Sequence, residues 1–386
     1  MPNKLKIMVV AGEPSGDAHG ARLVRALTEA APHTEFEFFG AAGTKMRGEE
    51  VEAVVASDDL SIIGVAEIAG ALPIFLNAMR SLRRSATDRR PDVAVLIDFP
   101  EFNLKLAKAL KKRGIRVVYY ISPQLWAWRK YRIRTVRKYV DLLLTILPFE
   151  RQWYADRGVA NVQYVGNPLA LEVQASLTRN EFCIRHGLDP KGPIVSLLPG
   201  SRQKEISKIL PVLIETAAAM VRTRPSMQFV IPIADPRHRP FVEETISGLL
   251  RETNFPNVTI VEGETYDALN ASDAAAVASG TATLETGMIG TPMAIVYKTT
   301  RLNYYLLKPL ISVEHYGLIN LIAEKRLARE LIQDEFTAET LATELFRLLD
   351  PEVNKQMRAE LKSATEKLGH GGASQRSAKA ILNLIT

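Results

Sequence analysis

Short apolar runs recur along the first half of the chain: LKIMVVA (5–11), EFEFFG (35–40), VEAVVAS (51–57), DVAVLIDF (92–99), IRVVYYIS (115–122), DLLLTIL (141–147) and VQYVG (162–166). β-Branched residues are frequent in them, and polar or helix-periodic segments lie between them. That is the pattern of a parallel sheet buried on both faces by helices. The rhythm resumes with PIVSLLPG (193–200), MQFVIPIAD (227–235), NVTIVEG (257–263), AAAVAS (274–279) and PMAIVYK (292–298). The pattern predicts an α/β chain of two doubly wound parallel-sheet domains, residues 1–168 and 169–350, joined through GNPLALEVQASLTRN (166–180). Roughly the last sixty residues carry no strand signal, and 351–386 reads as a helical tail. The halves resemble each other in architecture and not as a sequence repeat.

Ligands of doubly wound sheets bind beyond the carboxyl ends of the strands, and two such domains facing each other make a cleft. The strand-to-helix turns are therefore where chemistry is expected. The first, AGEPSGDAHG (11–20), lacks the G-x-G-x-x-G spacing that a dinucleotide requires, which disfavours a dehydrogenase. Glu13, Ser15, Asp17 and His19 crowd this strand end around Gly12 and Gly16. A helix N-cap accounts for Ser15 or Asp17 but not for all four polar groups. In IDFPEFN (97–103), Asp98 ends a strand and has two readings. It is an N-cap with Glu101 as its capping-box partner, or a carboxylate placed to accept a proton.

Two turns of the second half suit phosphate. In LLPGSRQKE (197–205), Gly200 allows close backbone approach, Ser201 can donate, and Arg202 supplies a planar cation beside a helix N-terminus. In ASGTATLETG (278–287), Ser279, Gly280 and Thr281 open another helix, with Glu285 one turn along to receive ribose hydroxyls. Together they point to a nucleoside diphosphate. The chain has no Asp-x-Asp at a strand end, Asp58-Asp59 has the wrong spacing for Mg²⁺, and the six histidines show no ligand pairing. A departing diphosphate would then be stabilised by Arg202 and helix termini, with no metal and no other cofactor.

Composition narrows the setting. At 386 residues with 47% hydrophobic and 24% charged residues, the chain can fill two cores and is neither disordered nor fibrous. The lone Cys183 offers no disulfide, as expected in a reducing cytoplasm. The N-terminal apolar run is too short for a signal peptide, and no run approaches the roughly 20 residues of a spanning helix, so a soluble or peripheral protein is expected. The net charge of +6 favours anionic partners. Much of it lies in YYISPQLWAWRKYRIRTVRKY (119–139), where Trp126 and Trp128 precede Arg129, Lys130, Arg132, Arg134, Arg137 and Lys138. Such a run suits nucleic acid or an anionic membrane. SIIGVAEIAGALPIFLNAMRSLRR (61–84) reads by default as a core helix. Its apolar positions, including Ile62, Ile63, Val65, Leu72, Ile74, Phe75, Leu76 and Met79, exceed one helical stripe. Membrane contact through Leu72, Phe75 and Leu76, with Arg83 and Arg84 meeting headgroups, is the expectation.

In order and spacing, AGEPSGD, IDFPEFN, YYISPQLWAWR, VGNPL, LLPGSRQKE, ASGTATLETG and LINLIAEKRLARELIQ resemble the lipid A disaccharide synthase family over nearly the whole chain. The resemblance implies an inverting, metal-independent glycosyltransferase of the GT-B type, with two Rossmann-like domains across a cleft. It implies condensation of UDP-2,3-diacylglucosamine with 2,3-diacylglucosamine 1-phosphate into a β-1′,6-linked disaccharide, with release of UDP, at the cytoplasmic face of the inner membrane. It assigns the UDP phosphates to Gly200, Ser201 and Arg202 with Ser279, Gly280 and Thr281, the ribose to Glu285, and a place near the donor to Asn320. Asp98 becomes the base, with Glu13 and Asp17 beside it as catalytic candidates, and Ser15, Gly16, Trp126 and Arg129 meet the acceptor. The tail would fold back on the first domain or exchange between subunits of a homodimer. Asn167 and Ile319 stand where the family often carries His and Pro. The rivals are a UDP-N-acetylglucosamine epimerase or a peptidoglycan-precursor transferase, which would share the phosphate turns. A nucleic-acid-binding module would leave those turns unexplained, so no nucleic-acid partner is expected.

Overall fold

A computed structural model describes residues 4–57, 60, 68–250, 258–300, 314–369 and 371–385, without the side chains of 68–71, 249 and 250. Asp58, Asp59, Ile62, Ile63 and Val65 lie outside the described residues. The chain divides into two compact units. One is 1–168 with 370–386, and the other is 169–369.

The first unit is built on a seven-stranded parallel sheet in the order β3-β2-β1-β4-β5-β6-β7. Its strands are β1 (Lys4–Ala11), β2 (Glu35–Ala42), β3 (Glu52–Ala56), β4 (Val93–Ile97), β5 (Arg116–Tyr120), β6 (Leu142–Thr145) and β7 (Val162–Tyr164). The continuous apolar runs are explained by burial on both faces. Ile7, Val9 and Ala11 point into one core and Met8 and Val10 into the other. The helix Ile68–Arg89 buries Ala78, Leu82 and Ala86, with Phe75 and Met79 partly covered, a single stripe at helical spacing.

The second unit repeats the arrangement with β8 (Ile194–Leu198), β9 (Gln228–Ile233), β10 (Val258–Glu262), β11 (Ala274–Ala278), β12 (Met293–Tyr297) and β13 (Glu330–Ile332). Their order is β10-β9-β8-β11-β12-β13, all parallel. β13 lies in the region expected to be helical. It is three residues long, too short for a periodic pattern, and its central Leu331 pairs with Val296 of β12. The segment 351–386 is divided. The helix Pro351–Glu366 packs within the second unit, whereas Ala373–Ile385 packs on the helix Pro14–Ala30 of the first. Gly369, Gly371 and Gly372, all at positive φ, precede this last helix.

Gly40 is required where β2 passes β1. Its φ is +154°, and a Cβ there would lie 1.9 Å from the Val9 carbonyl oxygen. Gly40→Ala should therefore cost about 3 kcal/mol in urea unfolding. Gly248→Ala, in an open helical position, should be neutral or stabilising by about 0.5–1 kcal/mol. Equal midpoints for the two variants would contradict this account of β2.

Candidate active site

In both sheets the connections leave the first strand and its inner neighbour in opposite directions, between β1 and β4 and between β8 and β11. This is the switch point at which open α/β sheets bind ligands. The turns singled out in the sequence follow these four strands.

At the β1/β4 switch point the chain after Ile97 enters the left-handed region twice, at Asp98 (φ +46°) and Phe99 (φ +49°, ψ 58°). Such non-glycine residues cost about 1 kcal/mol or more each and persist only when neighbours hold them. Here Tyr119 donates its hydroxyl to the Asp98 carbonyl (2.6 Å), and Asn103 Nδ2 donates to the carbonyls of Asp98 (2.8 Å) and Ile97 (3.1 Å). The Asp98 N–H donates to Tyr120 O at 3.0 Å. The Phe99 ring occupies the space a Cβ on Gly12 would need, with the nearest ring atom 2.3 Å from that position. Asp98 is not the helix cap, because Phe99 holds the N-cap position with no side-chain bond. Glu101 is not a capping-box partner and instead pairs with Arg129 and, at 2.7 Å, Arg132. Burial pushes the Asp98 carboxyl up to about 6, the charge of Glu13 adds to this, and a bond from the Phe99 backbone opposes it.

Around Asp98 the first turn divides between exposed and structural residues. Glu13 and Ser15 are exposed, Glu13 at the N-cap of the Pro14–Ala30 helix, and neither side chain caps it. Gly16 and Asp17, expected at the ligand, face the protein. A Cβ on Gly16 would stand 3.3 Å from the Ala11 Cβ, so this glycine permits helix and strand to approach. Asp17 is buried and accepts from the backbone N–H groups of Gly43 (2.8 Å), Lys45 (2.8 Å) and Met46 (3.2 Å). It caps the short Thr44–Arg47 helix from outside, which engages both oxygens and corrects its expected catalytic place. His19 is held neutral: burial, then Arg22 and Lys45, lower it to about 4.

In the aromatic-basic stretch the side chains are engaged largely within the protein. Trp126 is buried, stacks edge-on against Phe149 and donates Nε1–H to Glu150 Oε1 (2.9 Å), which corrects its expected acceptor contact. Glu150 also accepts from the N–H groups of Ile146 and Leu147, and full burial raises it to about 7 against these bonds. Arg129 stacks over the exposed Trp128 ring (4.1 Å) and pairs with Glu101, so its charge is already matched. On the Ile68–Arg89 helix, Leu72, Ile74 and Leu76 are 57%, 44% and 46% exposed. Phe75 turns inward onto Phe99 and Phe102 (ring centroids 5.9 and 6.1 Å), contrary to its expected membrane contact. Arg83 is exposed, and Arg84 lies 3.7 Å from Asp88.

At the β8/β11 switch point a cavity of about 580 Å³ opens, lined by Gly200, Ser201, Arg202, Ser279, Gly280, Thr281 and Glu285 among others. Gly200 (φ +109°) and Gly280 (φ +151°, ψ −158°) adopt backbone that side chains avoid, and the first turn of Thr281–Ile289 receives no side-chain cap. Ser279 donates its hydroxyl to Tyr316 O (2.9 Å). Arg202 is 80% exposed and reaches Glu205 at 3.2 Å. Tyr266 donates its hydroxyl to Glu285 Oε1 (3.3 Å), and burial raises the Glu285 carboxyl against this bond. Sequence reasoning missed Tyr266 and Glu205, although Tyr266 follows the β10 strand end in VEGETY. Asn320, expected near the donor, is fully buried and does not line the cavity. It donates to Ala328 O (2.8 Å) and Glu330 Oε1 (2.9 Å) and accepts from Ala328 N–H (2.8 Å), bracing the approach to β13. Ile319 fills the space beside Gly287. Among the described residues no group of three or more His, Cys, Asp or Glu is arranged to hold a metal.

Two doubly wound units of this order define the GT-B fold of nucleotide-sugar glycosyltransferases and epimerases. The chain superposes on UDP-GlcNAc 2-epimerase from Neisseria meningitidis bound to UDP-GlcNAc (TM-score 0.60, 14% identity, 99% of this chain and 100% of that one). It also superposes on sucrose-phosphate synthase from Thermosynechococcus elongatus (TM-score 0.61, 15% identity, 99% of each chain). At these identities the likeness is one of fold. A family model described as lipid-A-disaccharide synthetase matches residues 7–385. Curated lipid-A-disaccharide synthases from Trichlorobacter lovleyi (41% identity, 98% of this chain, 97% of that one) and Myxococcus xanthus (39%, 100% and 99%) are similar over their whole length. The chain belongs to the lipid-A-disaccharide synthetase family.

The proximity of Glu13 to Asp98 is testable without substrate. Asp98 should titrate near pH 6 by ¹³C NMR, and Glu13→Gln should lower that value while burial keeps it above the usual 3.8. No change in Glu13→Gln would separate the two carboxylates.

Proposed function

We propose that the chain transfers a diacylglucosamine unit from UDP to the 6-hydroxyl of 2,3-diacylglucosamine 1-phosphate, inverting the anomeric centre and releasing UDP. Membership of the family makes it a glycosyltransferase of lipid A disaccharide synthesis acting on lipid-linked sugars. The observation that carries the finer reading is Asp98, a desolvated carboxylate on a strained turn at a sheet switch point. A base with a value near 6 is largely ionised at neutral pH yet still able to take the hydroxyl proton as the C–O bond forms. The negative Glu13 beside it raises its proton affinity.

The donor belongs to the second unit. The open turn at Gly280–Thr281 and the turn Gly200–Ser201, with Gly200 at positive φ, offer N–H groups to the diphosphate, and exposed Arg202 supplies a cation. Glu285, oriented by Tyr266, accepts from the ribose hydroxyls. As the glycosidic bond to UDP breaks, charge accumulates on the diphosphate, and Arg202 with the helix N-terminus stabilises it without a metal. Excess EDTA should leave turnover unchanged.

The reading includes peripheral attachment at the cytoplasmic face of the inner membrane, and membrane contact is supported by exposed Leu72, Ile74 and Leu76, with Arg83 on the same helix. No described helix is long and apolar enough to cross a membrane. A homodimer that exchanged the Ala373–Ile385 helix would cover the same face of Pro14–Ala30.

Asp98→Asn should bind UDP normally and lose about 10²–10⁴-fold in kcat. In the unmodified protein kcat/KM should fall as pH drops through about 6, because protonation removes the base. Near-normal turnover in Asp98→Asn would make Asp98 structural. Replacing Leu72, Ile74 and Leu76 with Ser should release the protein from anionic liposomes in flotation; undiminished flotation would place the contact elsewhere.

A further inference from the structure

A second polar cavity, about 470 Å³, lies in the second unit at the opposite end of the sheet from the nucleotide turns. Gly192 and Pro193, which lead into β8, and Asp273, which precedes β11, form part of its wall, so it sits at the amino ends of the strands whose carboxyl ends carry the candidate donor site. It shares no lining residue with that site. Its charged lining is Arg179, Lys191, Arg224, Lys355 and Arg358 against Asp273, five cations to one carboxylate.

That carboxylate is already engaged. Asp273 accepts both terminal nitrogens of Arg179 (2.9 and 3.1 Å) and the Ile194 N–H (2.9 Å). The remaining Arg179 donors go to the carbonyls of Ala271, Gly192 and Pro190. Arg358, half-buried in the wall, has only neutral acceptors: Asn354 Oδ1 (2.8 Å), Gly290 O (2.9 Å) and Ser272 O (3.2 Å). The two carbonyls end helices and carry partial negative charge, which offsets part of its cost. Each of its terminal nitrogens retains one N–H. Burial lowers the Arg358 guanidinium, which Asp273 opposes and Arg179 reinforces. At the rim, exposed Lys191, Arg224 and Lys355 have no side-chain partner among the described residues.

A concave surface that gathers one desolvated and three unmatched cations focuses a positive potential and attracts multivalent anions. The planar guanidinium of Arg358, with free N–H groups, and the Lys ammoniums match phosphate oxygens in geometry. We propose that this pocket is a second oxyanion site, taking a phosphate-bearing ligand with two or more negative charges, separate from the donor site and independent of its assignment. The shared chemistry is a phosphate group, supplied by a soluble phosphate or by a lipid headgroup.

The test is calorimetric titration of the full chain with inorganic pyrophosphate in an Arg202→Ala background, which weakens the nucleotide turns. Binding at one site is expected, falling with added salt. Adding Lys191→Ala, Arg224→Ala and Lys355→Ala should weaken it at least about tenfold, a loss of about 1.4 kcal/mol. All three side chains are exposed, so unchanged thermal unfolding is expected and serves as the control for folding. Absence of pyrophosphate binding in the Arg202→Ala protein, or equal affinity with and without the three rim substitutions, would overturn the proposal. Phosphatidylcholine vesicles with and without phosphatidic acid then compete against pyrophosphate. Displacement only by phosphatidic acid identifies a headgroup, no displacement identifies a soluble phosphate, and either accords with the proposed chemistry.

Discussion

Both units depend on one topological constraint: a parallel sheet whose first strand lies between two runs of crossovers that diverge. At β1/β4 and β8/β11 the connections diverge, and the turns that follow these strands border the crevice in which open α/β sheets take ligands. The left-handed pair Asp98–Phe99 and the glycines Gly200 and Gly280 are the local consequences. In the first unit the crevice holds a desolvated carboxylate. In the second it holds an uncapped helix end and an exposed arginine. One architecture thus presents a buried carboxylate at one switch point and an open helix end beside a cation at the other.

Most polar residues near these crevices stabilise the scaffold around a few reactive groups. Asp17 satisfies three backbone donors, Glu150 holds Trp126 and two more, and Asn320 with Glu330 closes the segment before β13. Each would be costly to bury without those partners. Glu101 matches two of the arginines that made the 129–138 stretch look like a nucleic-acid surface. Among the described residues the side chains of Glu13, Ser201 and Thr281 make no such bond.

The strands were legible because burial on both faces writes continuous apolar runs into the chain. β13 escaped notice because three residues, one of them the buried Glu330, make no period. The phosphate turns were legible from Gly-Ser-Arg and Ser-Gly-Thr at strand ends. Which polar side chain faces a ligand and which caps a neighbour was not, since Asp17 and Asn320 meet partners many residues away that no local spacing encodes. Tyr266 entered the cavity because the strands are parallel, so the turns after β10 and β11 open at the same end of the sheet, and the helices Thr265–Ala271 and Thr281–Ile289 that follow them pack together. Phe75 turned inward onto the rings of Phe99 and Phe102, a contact across helices that the apolar pattern of its own segment does not encode.

In the proposed reaction the donor is an acylated UDP-sugar and the acceptor a phosphorylated monosaccharide. Turnover of synthetic UDP-2,3-diacylglucosamine with 2,3-diacylglucosamine 1-phosphate, beside UDP-N-acetylglucosamine as control, tests it most directly. UDP and a disaccharide 1-phosphate are expected from the acylated donor only. Reaction of the plain sugar nucleotide, with the acylated donor untouched, would contradict it.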